Sequence, residues 1–154
     1  MVLYFAYGSN LSKTAMRRRA PNAKPVIASL LPEHRLVFES NEPPGSMEAF
    51  FANVRPALGA SVLGALYAIG VAEFASLDIY EDVGCGVYER VEVLVTCADG
   101  HRERALAYCM RSGRRLRSGL PSRVQLEQIR AGYADWGLDL RVLDAALSAI
   151  ARIS

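Results

Sequence analysis

Two histidines and three cysteines are the only imidazole and thiol groups among 154 residues. His34 and His101 stand far apart in the chain, so metal sites and Ser–His relays are poorly supplied. The cysteines (Cys85, Cys97 and Cys109) are odd in number and contain no CxxC pair. They argue against a disulfide framework and for reduced thiols in a cytoplasm. No apolar run reaches the ~18 residues that would span a bilayer. The first residues also lack the basic n-region and small-residue cleavage site of a signal peptide, so neither a membrane span nor a leader is expected. Charge of one sign is missing too: a net charge of +2 gives a weak field and little reason to expect nucleic acid. GxGxxG, GxxxxGK[ST], HExxH and GxSxG are all absent, which removes the usual dinucleotide, nucleotide, metalloprotease and serine-hydrolase signatures.

What is present is an ordinary globular balance, 51% hydrophobic and 22% charged, in a chain of a length that suits one domain over residues 1–154. The rest is organised around Leu3 to Leu11, LYFAYGSNL. Strand alternation puts Val2, Tyr4 and Ala6 on one side and Leu3, Phe5 and Tyr7 on the other. Gly8 allows a turn that a side chain would block, and Asn10 or Ser12 can cap a helix over about Lys13 to Arg19. Arg17 to Arg19 complement the helix dipole and Pro21 ends the helix. They read as a solvated helix end rather than a nucleic-acid patch. A strand end turning into a helix start aims unpaired N–H groups at one point, suited to a carboxylate or a developing oxyanion. The alternative at this stage is a core strand followed by an ordinary turn.

Further along, Pro25 to Leu31 and His34 to Glu39 read as two short strands around Pro32, and Ser40 to Met47 as a loop. Phe50 to Val54 and Val62 to Ile69 read as another pair, joined through Pro56 and Gly59. Gly84-Cys85-Gly86 makes a turn into a strand over Val87 to Cys97, and Asp99-Gly100 signals a hairpin to His101–Met110. Arg111 to Leu120 is a basic loop with four arginines that favour anionic ligands without specifying one. Pro121-Ser122 starts a helix carrying Leu126, Ile129, Tyr133 and Trp136 on its core face and ended by Gly137. Leu140, Leu143, Leu147 and Ile150 repeat that spacing in a final helix. About seven strands and four helices in mixed order indicate an α+β fold with at least part of its sheet antiparallel.

Chemistry has few candidates. Ser9 lies in a suitable turn for a nucleophile, but no motif supplies its base. Cys85 is an exposed-thiol candidate with only Arg90 nearby to stabilise a thiolate. On a helix over Ala72 to Glu81, Phe74, Leu77 and Glu81 share one face at about 100° per residue. A carboxylate on an apolar face near a helix C-terminus is poised to act as a base. The other reading puts Glu81 one residue beyond the helix, facing water. An oxyanion-type turn and one carboxylate form a site without its own nucleophile, which suffices if the substrate carries one.

YFAYGSNL together with LDIYEDVGCGVYERVEV strongly resembles the gamma-glutamylcyclotransferase superfamily, including its AIG2-like and butirosin-pathway branches. The likeness extends through the GALYAI strand, the hairpin and the PS-initiated helix, nearly the whole chain. It implies a small mixed, largely antiparallel β-barrel flanked by helices, with the site at one mouth. It also implies conversion of a gamma-glutamyl amide into 5-oxoproline and a free amine or amino acid, with no metal or organic cofactor. The partner so implied is a small gamma-glutamyl molecule rather than nucleic acid or membrane, and the resemblance leaves a homodimer open. Carried over, the turn Tyr7, Gly8, Ser9 and Asn10 cradles the glutamyl group, and Tyr4, Phe5 and Ala6 lead into the pocket. Glu81 matches the catalytic acid/base and Tyr88 a tyrosine beside it. The chain departs from many relatives at Asp82, where they have Gly, and at Gln125, where they have Tyr. A non-catalytic module holding a small carboxylated ligand on the same fold is the competing class. An RNA-associated protein using Arg17 to Arg19 and Arg114 to Arg117 is a weaker third.

Overall fold

The computed structural model describes residues 1–42, 49–81, 83, 87–110 and 116–153, the last three of these by backbone alone. The expected loop beyond Glu42, Asp82, the Gly84-Cys85-Gly86 turn and Arg111 to Arg115 lie outside the described residues.

Strand β1 (Val2–Ala6) runs into a 3₁₀ turn (Ser9–Leu11) and then α1 (Lys13–Arg19). Ser12, not Asn10, caps this helix: its side chain accepts from the Ala15 N–H at 3.2 Å. The two pairs of short strands expected next are instead two long ones, β2 (Lys24–Ser40) and β3 (Phe51–Ile69). Pro32 and Pro56 do not break them because the irregularity is absorbed locally. Glu33 takes a left-handed conformation (φ 61°) at a register shift between Pro32 and His34, and pairing resumes at His34 with Pro56. The Gly59 N–H donates to the Glu33 carboxylate at 3.0 Å and pins the bend.

Helix α2 (Val71–Tyr80) follows, then the hairpin β4 (Glu89–Cys97) and β5 (Arg102–Cys109) around Gly100 at φ 93°. Part of the expected basic loop is a two-residue strand, β6 (Arg117–Ser118), paired with Glu39 and Ser40. Helices α3 (Arg123–Trp136) and α4 (Leu140–Ile153) complete the chain. Ser122 caps α3 at its start and left-handed Gly137 (φ 64°) ends it.

The sheet order β3-β1-β5-β4-β2-β6, with β2 also paired to β3, closes five strands into a barrel. The β1–β5 pair is parallel and the other described pairs antiparallel, so the barrel is mixed and largely antiparallel. The alternation expected of β1 holds. Phe5 and Tyr7 join the barrel interior, while Tyr4 and Ala6 face a second apolar cluster with Met16 of α1 and Phe74 and Leu77 of α2. The first cluster mixes alanines and cysteines with larger side chains such as Leu36, Phe38, Leu66 and Val95. At Gly64 of β3 an added Cβ would lie 2.3 Å from the Ala6 carbonyl oxygen, so only glycine allows the β1–β3 approach.

Candidate active site

The site begins where β1 ends. Gly8 permits a close approach: an added Cβ would stand 3.1 Å from the Cβ of Ala52, so one of the two would have to give by a few tenths of an ångström. Leu11 anchors the turn. Its carbonyl accepts from Trp136 Nε1 at 3.0 Å and from the Tyr67 hydroxyl at 3.3 Å. Within the turn the Leu11 and Ser12 N–H groups return to the Gly8 and Ser9 carbonyls. The preceding N–H groups lie outside that ladder, at the open end of the turn.

A cavity of about 230 Å³ opens here, lined by Tyr4, Tyr7, Gly8, Ser9 and Asn10 from the start of the chain. Glu81, Tyr88 and Gln125 reach the same cavity from three other segments. Phe5 and Ala6 do not line it; both are fully buried, one in the barrel interior and one beneath α1 and α2.

Glu81 lies one residue past α2, as its C-cap, but it turns into the cavity rather than out to water. Its Oε1 accepts from Asn10 Nδ2 at 3.0 Å, and the same amide nitrogen donates to the Tyr4 hydroxyl at 2.9 Å. Helix α2 is fixed in place by Asp78, which accepts from Tyr108 at 2.7 Å and from Arg90 Nε at 2.8 Å. Arg90 also lies over the ring of Phe74, 4.4 Å from its centroid.

Tyrosine makes up much of the wall. Tyr7 donates to the Tyr108 carbonyl and Tyr88 to the Ala52 carbonyl, both at 2.5 Å. Burial, and after it the charge of Glu81, pushes the Tyr4 and Tyr88 phenols well above their ordinary range. Burial does the same for Tyr7. These side chains therefore stay protonated at neutral pH and serve as donors, not bases. Among the described residues lining the cavity, Glu81 is the only carboxylate. The Oε1 of Gln125 is buried there without a hydrogen-bond partner. Metal-type donors gather among the described residues at Cys97, Asp99 and His101, on the β4–β5 turn, and none of these lines the cavity.

Sequence reasoning missed Phe51 and Val87 of the lining and four contributors with polar or backbone roles or a place beside Glu81: Arg19, Tyr80, Tyr108 and Ala52. Arg19 donates to Ser9 Oγ at 2.9 Å and to Asn10 Oδ1, so the end of the basic triplet turns toward the site. Tyr80 directly precedes Glu81, the one local signal that was available for any of the four.

The pattern described as gamma-glutamyl cyclotransferase, AIG2-like, matches residues 4–136, from β1 to the end of α3. The chain belongs to that family. Human gamma-glutamylcyclotransferase is 30% identical over 110 residues, which is 70% of this chain and 58% of the human protein. The mouse protein of the same name is likewise 30% identical, over 112 residues. The match thus spans less than two thirds of these curated relatives. A solved structure named gamma-glutamyl cyclotransferase superposes with a TM-score of 0.83 at 27% identity, covering 94% of this chain and 85% of the other. Its likeness extends to the closed barrel and its flanking helices.

Proposed function

We propose that this family member is a single-domain cyclotransferase that cleaves a gamma-glutamyl amide to 5-oxoproline and a free amine or amino acid. The observation carrying this reading is that Glu81 and the Gly8–Asn10 turn face one cavity and are joined directly through the Asn10 side chain. In the reaction the substrate's alpha-amine attacks its own gamma-carbonyl carbon. The new C–N bond closes a five-membered ring, and the old amide C–N bond then breaks. The amine attacks in its neutral form, its ammonium proton having gone to solvent. One further proton must then leave the attacking nitrogen, and one must reach the departing nitrogen. Glu81, as the cavity's carboxylate, takes the first and delivers the second. The carbonyl oxygen gathers negative charge meanwhile, and the N–H groups of the turn are the donors available to it.

No protein nucleophile is required, because a well-placed intramolecular attack is worth an effective molarity of about 10⁵–10⁸ M. The neutral tyrosine wall suits this chemistry, since it shapes the glutamyl chain without competing for the proton. The unpartnered Gln125 Oε1 accepts an N–H from the substrate in this scheme, repairing a buried polar group that is otherwise unsatisfied. That assigns Gln125, in place of the tyrosine of many relatives, to recognition rather than to proton transfer.

The test is incubation of the purified chain with a panel of gamma-glutamyl amines, amino acids and dipeptides, with chromatographic detection of 5-oxoproline. Release of 5-oxoproline from at least one member, in step with the free amine, is the expected result. Saturable binding of the panel without any release would establish the non-catalytic module instead.

A further inference from the structure

We infer that Arg19 is a positioning residue that sets the direction of the Asn10 amide and, through it, the geometry of Glu81 and Tyr4. At the last position of α1, its guanidinium donates to Ser9 Oγ at 2.9 Å, to Asn10 Oδ1, and to Gln128 Oε1 of α3 at 3.3 Å. The same group lies over the ring of Tyr80, 3.8 Å from its centroid. One side chain thus ties together the 3₁₀ turn, α3 and the end of α2, and Tyr80 is the residue before Glu81.

The consequence follows from what each group can do. A guanidinium only donates, so the Asn10 end that meets it must be the oxygen. The NH₂ end then has to point the other way, where it finds Tyr4 Oη at 2.9 Å and Glu81 Oε1 at 3.0 Å. Without Arg19 only the Glu81 carboxylate, which accepts and does not donate, still favours this direction of the amide. A reversed amide sets its oxygen against the Glu81 carboxylate, which repels it. Tyr4 is affected as well: by accepting from Asn10 it keeps its own proton for the cavity. Tyr7 and Tyr88, in contrast, spend theirs on backbone carbonyls. A lysine would supply one compact charge but not the planar fork that meets Ser9, Asn10 and Gln128 together.

The effect on rate rests on the cyclotransferase reading; the effect on the amide does not. The experiment compares wild type, Arg19→Lys, Arg19→Met, Asn10→Ala and the Arg19→Met/Asn10→Ala double variant, using kcat and KM on an active gamma-glutamyl substrate. Thermal melts normalise each rate to folded protein. Arg19→Met should lose about 10–100-fold in kcat, the scale of a small misplacement at a reacting centre. Arg19→Lys should recover part of that loss, and the double variant should be no slower than Asn10→Ala alone. In parallel, the Asn10 side-chain NH₂ resonances should be protected from exchange in wild type and lose that protection in Arg19→Met. Additive losses in the double variant, or wild-type kcat per folded molecule in Arg19→Met, would overturn the inference. If no gamma-glutamyl compound is turned over, the functional reading fails, and the amide resonances alone decide for or against Arg19.

Discussion

Glu81→Gln separates shape from basicity. The glutamine keeps an oxygen where the carboxylate has one, so Asn10 Nδ2, now 3.0 Å away, retains an acceptor and the Tyr4–Asn10 link is undisturbed. Exchanging a charged acceptor for a neutral one in a part-buried hydrogen bond should change stability by no more than about 1 kcal/mol. What disappears is the proton carrier. General acid–base catalysis is worth about 10²–10⁴-fold, so kcat should fall by that factor or more, an increase of roughly 3–5 kcal/mol in the barrier. KM should stay near its original value, since the contacts that hold the glutamyl chain remain. The assay is initial-rate release of 5-oxoproline from a substrate of the wild-type protein, with melting temperatures recorded on the same preparations. Glu81→Asp is the companion, withdrawing the carboxylate by about one bond, and a loss near 10²-fold is expected from misplacement alone. Asp82→Asn should have a much smaller effect, because Asp82 matches no functional position of the family. Near-wild-type kcat in Glu81→Gln would refute the assignment, and equal losses at Glu81 and Asp82 would point to a shared carboxylate pair.

Three further outcomes are expected. An alanine at Gly132 would put its Cβ 2.8 Å from the backbone carbonyl carbon of Leu11, so α3 must move off the turn. The overpacking cost of about 1–3 kcal/mol should exceed the helix-propensity gain and lower the melting temperature; an unchanged or raised value would refute the contact. Cys97 and Cys109 are buried and neither lines the cavity, so replacing all three cysteines by Ser or Ala should leave turnover within about tenfold. Selective inactivation by alkylating Cys85 would revive a thiol mechanism. Finally, burial raises the phenols of Tyr4, Tyr7, Tyr88 and Tyr108 and brings those of Tyr67 and Tyr133 to about 12. The folded chain therefore holds these protons above pH 10, where the unfolded chain releases them. Stability should be complete below pH ~10 and decline as pH rises from there through 12. Ultraviolet titration should show these phenols ionising only with unfolding, and a smooth titration of all tyrosines near pH 10 in folded protein would contradict their burial.

Local rules made parts of the molecule legible. The alternation of β1 survives because both of its faces are covered, one inside the barrel and one under α1 and α2. Helices α1 and α3 start at Ser12 and Ser122 as their capping chemistry requires, and the observed limits of α1 coincide with those expected from sequence. Proline misled the reading of β2 and β3, because a bulge at Glu33 carries the chain past Pro32 without ending the strand. Barrel closure depends on β2 pairing with both β3 and β4, a non-local choice that no window of sequence contains. At the site, periodicity gave Glu81 the correct general direction although the helix ends one residue before it. Arg19 was illegible for a different reason. A basic residue in the last turn already satisfies the dipole rule, so nothing in the local pattern signals its engagement with Ser9 and Asn10.

In the proposed reaction the nucleophile belongs to the substrate, which leaves the protein chiefly the task of placement, and the packing around the turn suits that task. The turn is held from three directions by groups that react with nothing. Tyr67 and Trp136 donate to the one carbonyl of Leu11 and meet edge to face, 5.6 Å between centroids. Gly132 lets α3 press against the other side of Leu11, and Gly8 lets the turn close on Ala52. The Ala52 carbonyl in turn accepts from the Tyr88 hydroxyl, so another lining residue of the cavity is registered to the same contact. Stability and rate are thereby coupled through a small apolar clamp. Loosening it should lower kcat through displaced N–H donors, and because Tyr67 and Ala52 are themselves paired residues of β3, changes at either should lower the melting temperature as well.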